Sequence, residues 1–135
     1  MFADGTGGRD SVSNSSMERG DINFRFVITD DNDKQPDLTG ANLDAFVEEF
    51  KAAFAPTRTS RFIGVANTTL IGTLAADMGF ERRHVFNNTW FQKARVIATR
   101  TAGRYYSLQC AYPITSAAEY NPVCESIAAS VRLTK

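Results

Sequence analysis

Residues 90–112 hold two long extended runs, WFQKARVIATRT and RYYSLQCAY, joined by Ala102-Gly103, and a cysteine-bearing helix follows them. Gly103 accepts the positive φ that a tight hairpin turn demands. In the second run Tyr106, Leu108, Cys110 and Tyr112 recur at every other position and share one strand face. Downstream, Tyr120, Cys124, Ile127 and Val131 fall on one helical stripe. Two apolar faces in succession have to cover each other, so this ending demands a sheet with a helix laid across it. Both cysteines then point into the same interface.

The chain has 2 Cys in all, an even count on converging faces, and a Cys110–Cys124 disulfide is expected. The alternative is a pair of buried thiols, since Cys is among the most buried residue types. A bond would close about 15 residues and stabilise the fold by roughly 3 kcal/mol on the chain-entropy estimate. It would also imply an oxidising compartment.

Upstream, residues 1–20 are rich in Gly and Ser with almost no large apolar side chain, and are expected to be a flexible tail. The domain is expected to start at residue 21 and run to 135, a length that suits one hydrophobic core. Ile22, Phe24, Phe26 and Ile28 alternate with neighbours such as Asn23 and Arg25, which predicts a half-buried strand. A polar connection, DDNDKQPD, leads to Leu43, Phe46, Val47, Phe50 and Phe54 at helical spacing, with Asn42 as N-cap and Pro56 as stop.

From residue 60 the runs RFIGVAN, TLIGTLAADM and FERRHVF precede the closing hairpin, and predict an antiparallel meander with turns at Asn67-Thr68, Asn87-Asn88 and Ala102-Gly103. Gly72 and Gly79 read as bulges or bends. The last helix is expected to begin loosely from Ser116 and firmly at Asn121, where Asn and Pro122 suit the N-cap and first position, and to reach residue 130. Val131 and Leu133 would form a terminal strand. The fold class is therefore α+β, an antiparallel sheet flanked by helices.

Charge is neutral overall but segregated. Residues 1–55 carry 5 Lys and Arg against 11 Asp and Glu, whereas residues 56–104 carry 8 against 2. That basic middle supplies a candidate protein-binding surface, Arg82, Arg83, Lys93, Arg95, Arg100 and Arg104, meeting an acidic protein or a lipid head-group surface. The competing reading is a solvated sheet face.

Catalytic signals are weak. His84 has no HxH or HxxxH partner, and Asp30, Asp31, Asp33 and Asp37 lack the central Gly and final Glu of a calcium loop. No GxSxG elbow or phosphate-cradling glycine loop occurs. No metal or cofactor is expected, and no enzyme activity. Asn14, Asn67 and Asn87 stand in chance-prone glycan triplets. Trp90, Phe91, Tyr105 and Tyr106 lie among basic residues, yet zero net charge argues against nucleic acid. No apolar run approaches the roughly 18 residues of a spanning helix, and the opening residues lack the order of a signal peptide, leaving a removed leader as an open alternative.

Three stretches resemble the PsbP-like superfamily of α/β/α sandwiches. INFRFVITDDND followed by NLDAFVEEFKAAF is similar to its strand, polar loop and helix. IGTLAADMGFERR resembles its glycine-containing strand, and RVIATRTAGRYYSLQCAYP leading into VCESIAASVRL resembles its closing hairpin and helix. The resemblance spans residues 21–134. It implies a non-enzymatic accessory role, since members include lumenal extrinsic subunits of the oxygen-evolving photosystem, bacterial envelope lipoproteins and an import factor that binds the GTPase Ran. With the expected disulfide, the lumenal and envelope members point to an extracytoplasmic location: thylakoid lumen, periplasm or secreted. The chain departs from the photosystem members in lacking their extra N-terminal strands and histidine-rich metal positions, and no residue role is carried over. The rival expectation is a small-ligand binder or enzyme on a cystatin-like or nuclear-transport-factor-like cone, in which a bent sheet wraps one helix and the last helix is absent or peripheral.

Overall fold

The computed structural model describes residues 11–13 (backbone only), 22–54, 59–83 and 89–131. Strands β1 (Ser11–Ser13) and β2 (Asn23–Asp30) precede helix α1 (Leu43–Phe54). Strands β3 (Ser60–Leu70), β4 (Thr73–Arg83), β5 (Trp90–Thr101) and β6 (Arg104–Pro113) follow, then a 3-10 turn (Ile114–Ser116) and helix α2 (Ala117–Ser130). The described strands form one antiparallel sheet in the order β1-β2-β6-β5-β4-β3.

Strand alternation divides the core in two. Phe24, Phe26 and Ile28 of β2 lie in register with Cys110, Leu108 and Tyr106 of β6, and α2 closes this face with Cys124 and Ala128. The opposite face takes Ala76, Met78 and Phe80 of β4 with Ala94, Val96 and Ala98 of β5, beneath Phe46 and Val47 of α1. Neighbours in β5 show the alternation directly, because Ile97 belongs to the α2 cluster while Val96 and Ala98 belong to the α1 cluster. Two helices on opposite faces make an α/β/α sandwich. The cone topology is excluded, because α2 is a core element.

The apolar stripe of α1 packs as its spacing predicts, with Leu43, Phe50 and Phe54 partly buried beside Phe46 and Val47. Asn42 does stand before the helix, its carbonyl accepting the Phe46 N–H. Its side chain ties the loop instead, accepting from Thr39 N and donating to the Asp37 carbonyl.

Four expectations need correcting. The β3–β4 turn is Ile71-Gly72, with φ of 48° and 81°, and not Asn67-Thr68, which pair with Ala76 and Ala75. The three short runs expected there are two long strands. Gly72 is thus a turn residue, and Gly79 lies opposite Gly64 beside a register shift in β3. Helix α2 begins at Ala117, directly after Ser116 as the looser of the two expected starts has it, and not at Asn121, so Pro122 sits inside it and removes the N–H that would meet the Ala118 carbonyl. Asn121 is no cap; its side chain accepts a hydrogen bond from the Tyr112 hydroxyl.

Val131 leaves the helix in extended backbone, and the rest of the expected terminal strand lies outside the described residues. So do His84, Asn87-Asn88, Pro56 and most of residues 1–20, within which Ser11–Ser13 pair with β2.

Candidate protein-binding surface

The structure does not gather the six basic candidates onto one surface. Arg100, 3% exposed, is locked beneath α1: its Nε donates to the Pro36 carbonyl at 2.8 Å, and Nη1 lies 3.3 Å from both Glu49 Oε2 and Tyr105 Oη. The Tyr105 hydroxyl donates to Glu49 Oε1 and accepts from Gln35 Nε2. Burial raises the pKa of Tyr105 above the ordinary tyrosine value, and this knot clamps the polar loop to the sheet.

Arg95 lies on the other face. Its guanidinium grips Asp77 through two bonds, of 2.8 and 2.5 Å, and reaches Glu125 of α2 at 3.1 Å. Donating hydrogen bonds to Asp77 pushes the Arg95 pKa further above its already high value, so the charge is permanent. Nearby, burial raises the pKa of Tyr112. Lys93 shares the Arg95 face and lies over Gly79, its Nζ 3.7 Å from where a Cβ there would stand. Arg104 sits at the hairpin end, paired with Asp30 at 3.1 Å. Arg83 faces the Trp90 ring at 5.7 Å, and Arg61 covers the same ring at 3.9 Å.

Arg82 therefore remains exposed on the α1 face, and there it meets a residue that sequence reasoning passed over. Among the described residues helix α1 packs over β4 and β5 and reaches β6 at Tyr105, leaving Arg25 and Thr29 of β2 exposed on the same face. Arg25 of β2 projects on this open side and donates to Gln109 Oε1 at 3.1 Å. Arg25, Gln109, Arg82 and Gln92 line a hollow of about 320 Å³. An adjoining hollow of about 260 Å³, between Val27, Ser107 and Gln109 on the sheet and Phe50 and Ala53 on the helix, ends at Glu49 and Tyr105. The signal for Arg25 was present in the strand alternation, which sets it opposite Phe24 and Phe26. It was obscured because Arg25 belongs to the acidic stretch of residues 1–55.

Cys110 and Cys124 are joined in a disulfide, their Cα atoms 6.2 Å apart and both residues buried. Among the described residues no three His, Cys, Asp or Glu side chains converge as a metal site, and no helix is long and apolar enough to cross a membrane.

An antiparallel sheet between two helices, with a hairpin and closing helix in this order, is an α/β/α sandwich. The solution structure of cyanobacterial PsbP (CyanoP) from Synechocystis sp. PCC 6803 superposes with a TM-score of 0.64 at 14% identity, covering 99% of this chain and 81% of that one. No family model and no curated protein sequence matches the chain. The likeness is thus one of fold.

Proposed function

We propose that the chain is a non-enzymatic, protein-binding accessory domain that works in an oxidising, extracytoplasmic compartment. The observation that carries this reading is the Cys110–Cys124 bond, buried at the sheet–helix interface of a PsbP-like fold. A crosslink in the core is made during folding and needs an oxidising setting to form and persist. The PsbP likeness favours docking onto a larger assembly, photosystem-associated or envelope-associated, in the thylakoid lumen, the periplasm or outside the cell. Charge complementarity is the expected mode, with an acidic protein complex ahead of a membrane surface.

The test is thiol alkylation of the native protein before lysis, followed by affinity capture from its own compartment at low and high salt. An unalkylated chain until reductant is added, together with a partner lost at high salt, is the expected result. Two free thiols in the native protein would remove the compartment assignment, and no enriched partner at either salt would remove the accessory role.

A further inference from the structure

We infer that the open side of the α1 face is a groove that receives an extended, acidic segment of the partner protein. The inference rests on the accessory reading and gives it a place and a chemistry. Its first support is a contrast among the arginines. Arg61, Arg95, Arg100 and Arg104 each meet a carboxylate: Glu81, Asp77 with Glu125, Glu49 and Asp30 respectively. Arg25 and Arg82, both exposed, line one hollow, and among the described residues neither is paired with a carboxylate. Arg25 spends one donor on the neutral amide of Gln109, and among the described residues its other donors meet no carboxylate. Two planar guanidinium groups facing one cavity are suited to a pair of carboxylates held bidentately.

The second support is shape. The Arg25–Arg82 hollow shares Gln109 with the Phe50 hollow, and shares Phe54, Arg82 and Gln92 with a third, of about 420 Å³, near Phe91. Together they run along the flank of α1. From Tyr105 to Ala111 the floor follows six residue steps of β6, about 20 Å at roughly 3.3 Å per step, the reach of about six extended residues. A peptide strand fits between helix and sheet, whereas a bilayer surface has no means of entering such a furrow. Its two ends differ in chemistry: acidic side chains suit Arg25 and Arg82, and an apolar side chain several positions away suits Val27, Phe50 and Ala53.

The experiment is an amide chemical-shift titration of the whole chain with a pool of acetylated octapeptides. Each carries two Asp or Glu at one end and a Leu or Phe four positions on. A second pool with Lys for the acids, and anionic phospholipid vesicles, serve as the other arms. The acidic pool is expected to shift amides of residues 25–29, 92–94 and 107–111, with at least about tenfold weaker binding to R25E/R82E and less than about twofold change for K93E on the opposite face. R25Q/R82Q guards against a fold defect, and well-dispersed spectra of each variant show that the fold persists. Shifts confined to the α2 face, retained binding by R25E/R82E, binding to vesicles without binding to peptide, or no response to the acidic pool would each overturn the groove. Capture of a salt-sensitive native partner by R25E/R82E would overturn the groove and leave the accessory reading standing; loss of every partner by the unmodified chain would remove the reading itself.

Discussion

At the scale of single residues, two arginines of one hairpin have opposite jobs. Arg100 is buried and engaged by Pro36, Glu49 and Tyr105, so Arg100→Ala takes the donor from the Pro36 carbonyl and the cation from Glu49, and is expected to destabilise by about 2 to 3 kcal/mol in urea unfolding. Arg104→Ala removes an exposed pair with Asp30 and is expected to change stability by less than about 1 kcal/mol. Equal losses would refute the division. The tyrosines make a pH prediction. Burial raises the pKa of folded Tyr112 above the unfolded value of about 10, so the folded state holds the proton more tightly. That contribution is complete below pH 10 and is lost as pH rises through the raised folded value. Tyr112→Phe is therefore expected to show a shallower decline in stability between pH 9 and pH 11, measured by urea unfolding. Parallel curves for the two proteins would contradict it. Arg100 and Arg95 also mark where sequence reading stopped short: a count of basic residues does not reveal which have carboxylates waiting on the neighbouring strand or helix.

Elements were legible wherever one face is apolar. The alternation at Ile22, Phe24, Phe26 and Ile28, the stripe from Leu43 to Phe54 and the pairing of the Cys110 face with the Cys124 stripe all follow from burial, and burial decides the packing. Turns were less legible, because their choice depends on register. Asn67 looked like a turn residue, yet Leu70 pairing with Thr73 forces the turn onto Ile71-Gly72. Ile71 is a poor residue for the left-handed region, and it is held there by packing against the α2-side core. Pro122 misled for a related reason, since the 3-10 turn from Ile114 lets the helix begin before it. The closing hairpin tests the turn logic, because Ala102 and Gly103 have φ of 53° and 76°. Asn tolerates this region better than Ala, so Ala102→Asn is expected to stabilise by about 0.5 to 1 kcal/mol, and Gly103→Ala to destabilise by about 1 kcal/mol. Thermal unfolding of both variants checks the pair, and because Ala102→Asn keeps the backbone N–H that donates to Asp37, a loss of stability in that variant would contradict the expected φ preference.

At the scale of the whole molecule, the sheet separates two cores that have different means of support. The α1 side relies on aromatic packing, with Phe46 against Phe50 and Tyr105, and on the Arg100 knot. The α2 side has a helix with a proline inside it and a weaker apolar stripe, and it carries the disulfide. The crosslink therefore stands where helix docking needs most help. Its loop spans a sequence separation of 14, which gives about 3 kcal/mol of stabilisation on the chain-entropy estimate. The site of docking was less legible than the fold for the same reason that the core was easy: periodicity reports what is buried, while a groove is made by residues from β2, β4, β5 and β6 that share no local pattern. Cys110→Ala/Cys124→Ala is expected to lower the unfolding free energy by about 3 kcal/mol, which for a domain of this size lowers the melting temperature by about 10 °C. The loss should concentrate in α2 and leave α1 protected in amide hydrogen exchange, because each helix covers a separate core cluster. Equal loss of protection in both helices would mean that the two cores unfold as one unit, and an unchanged melting temperature would mean that packing of Tyr112, Tyr120 and Phe24 already holds α2 in place.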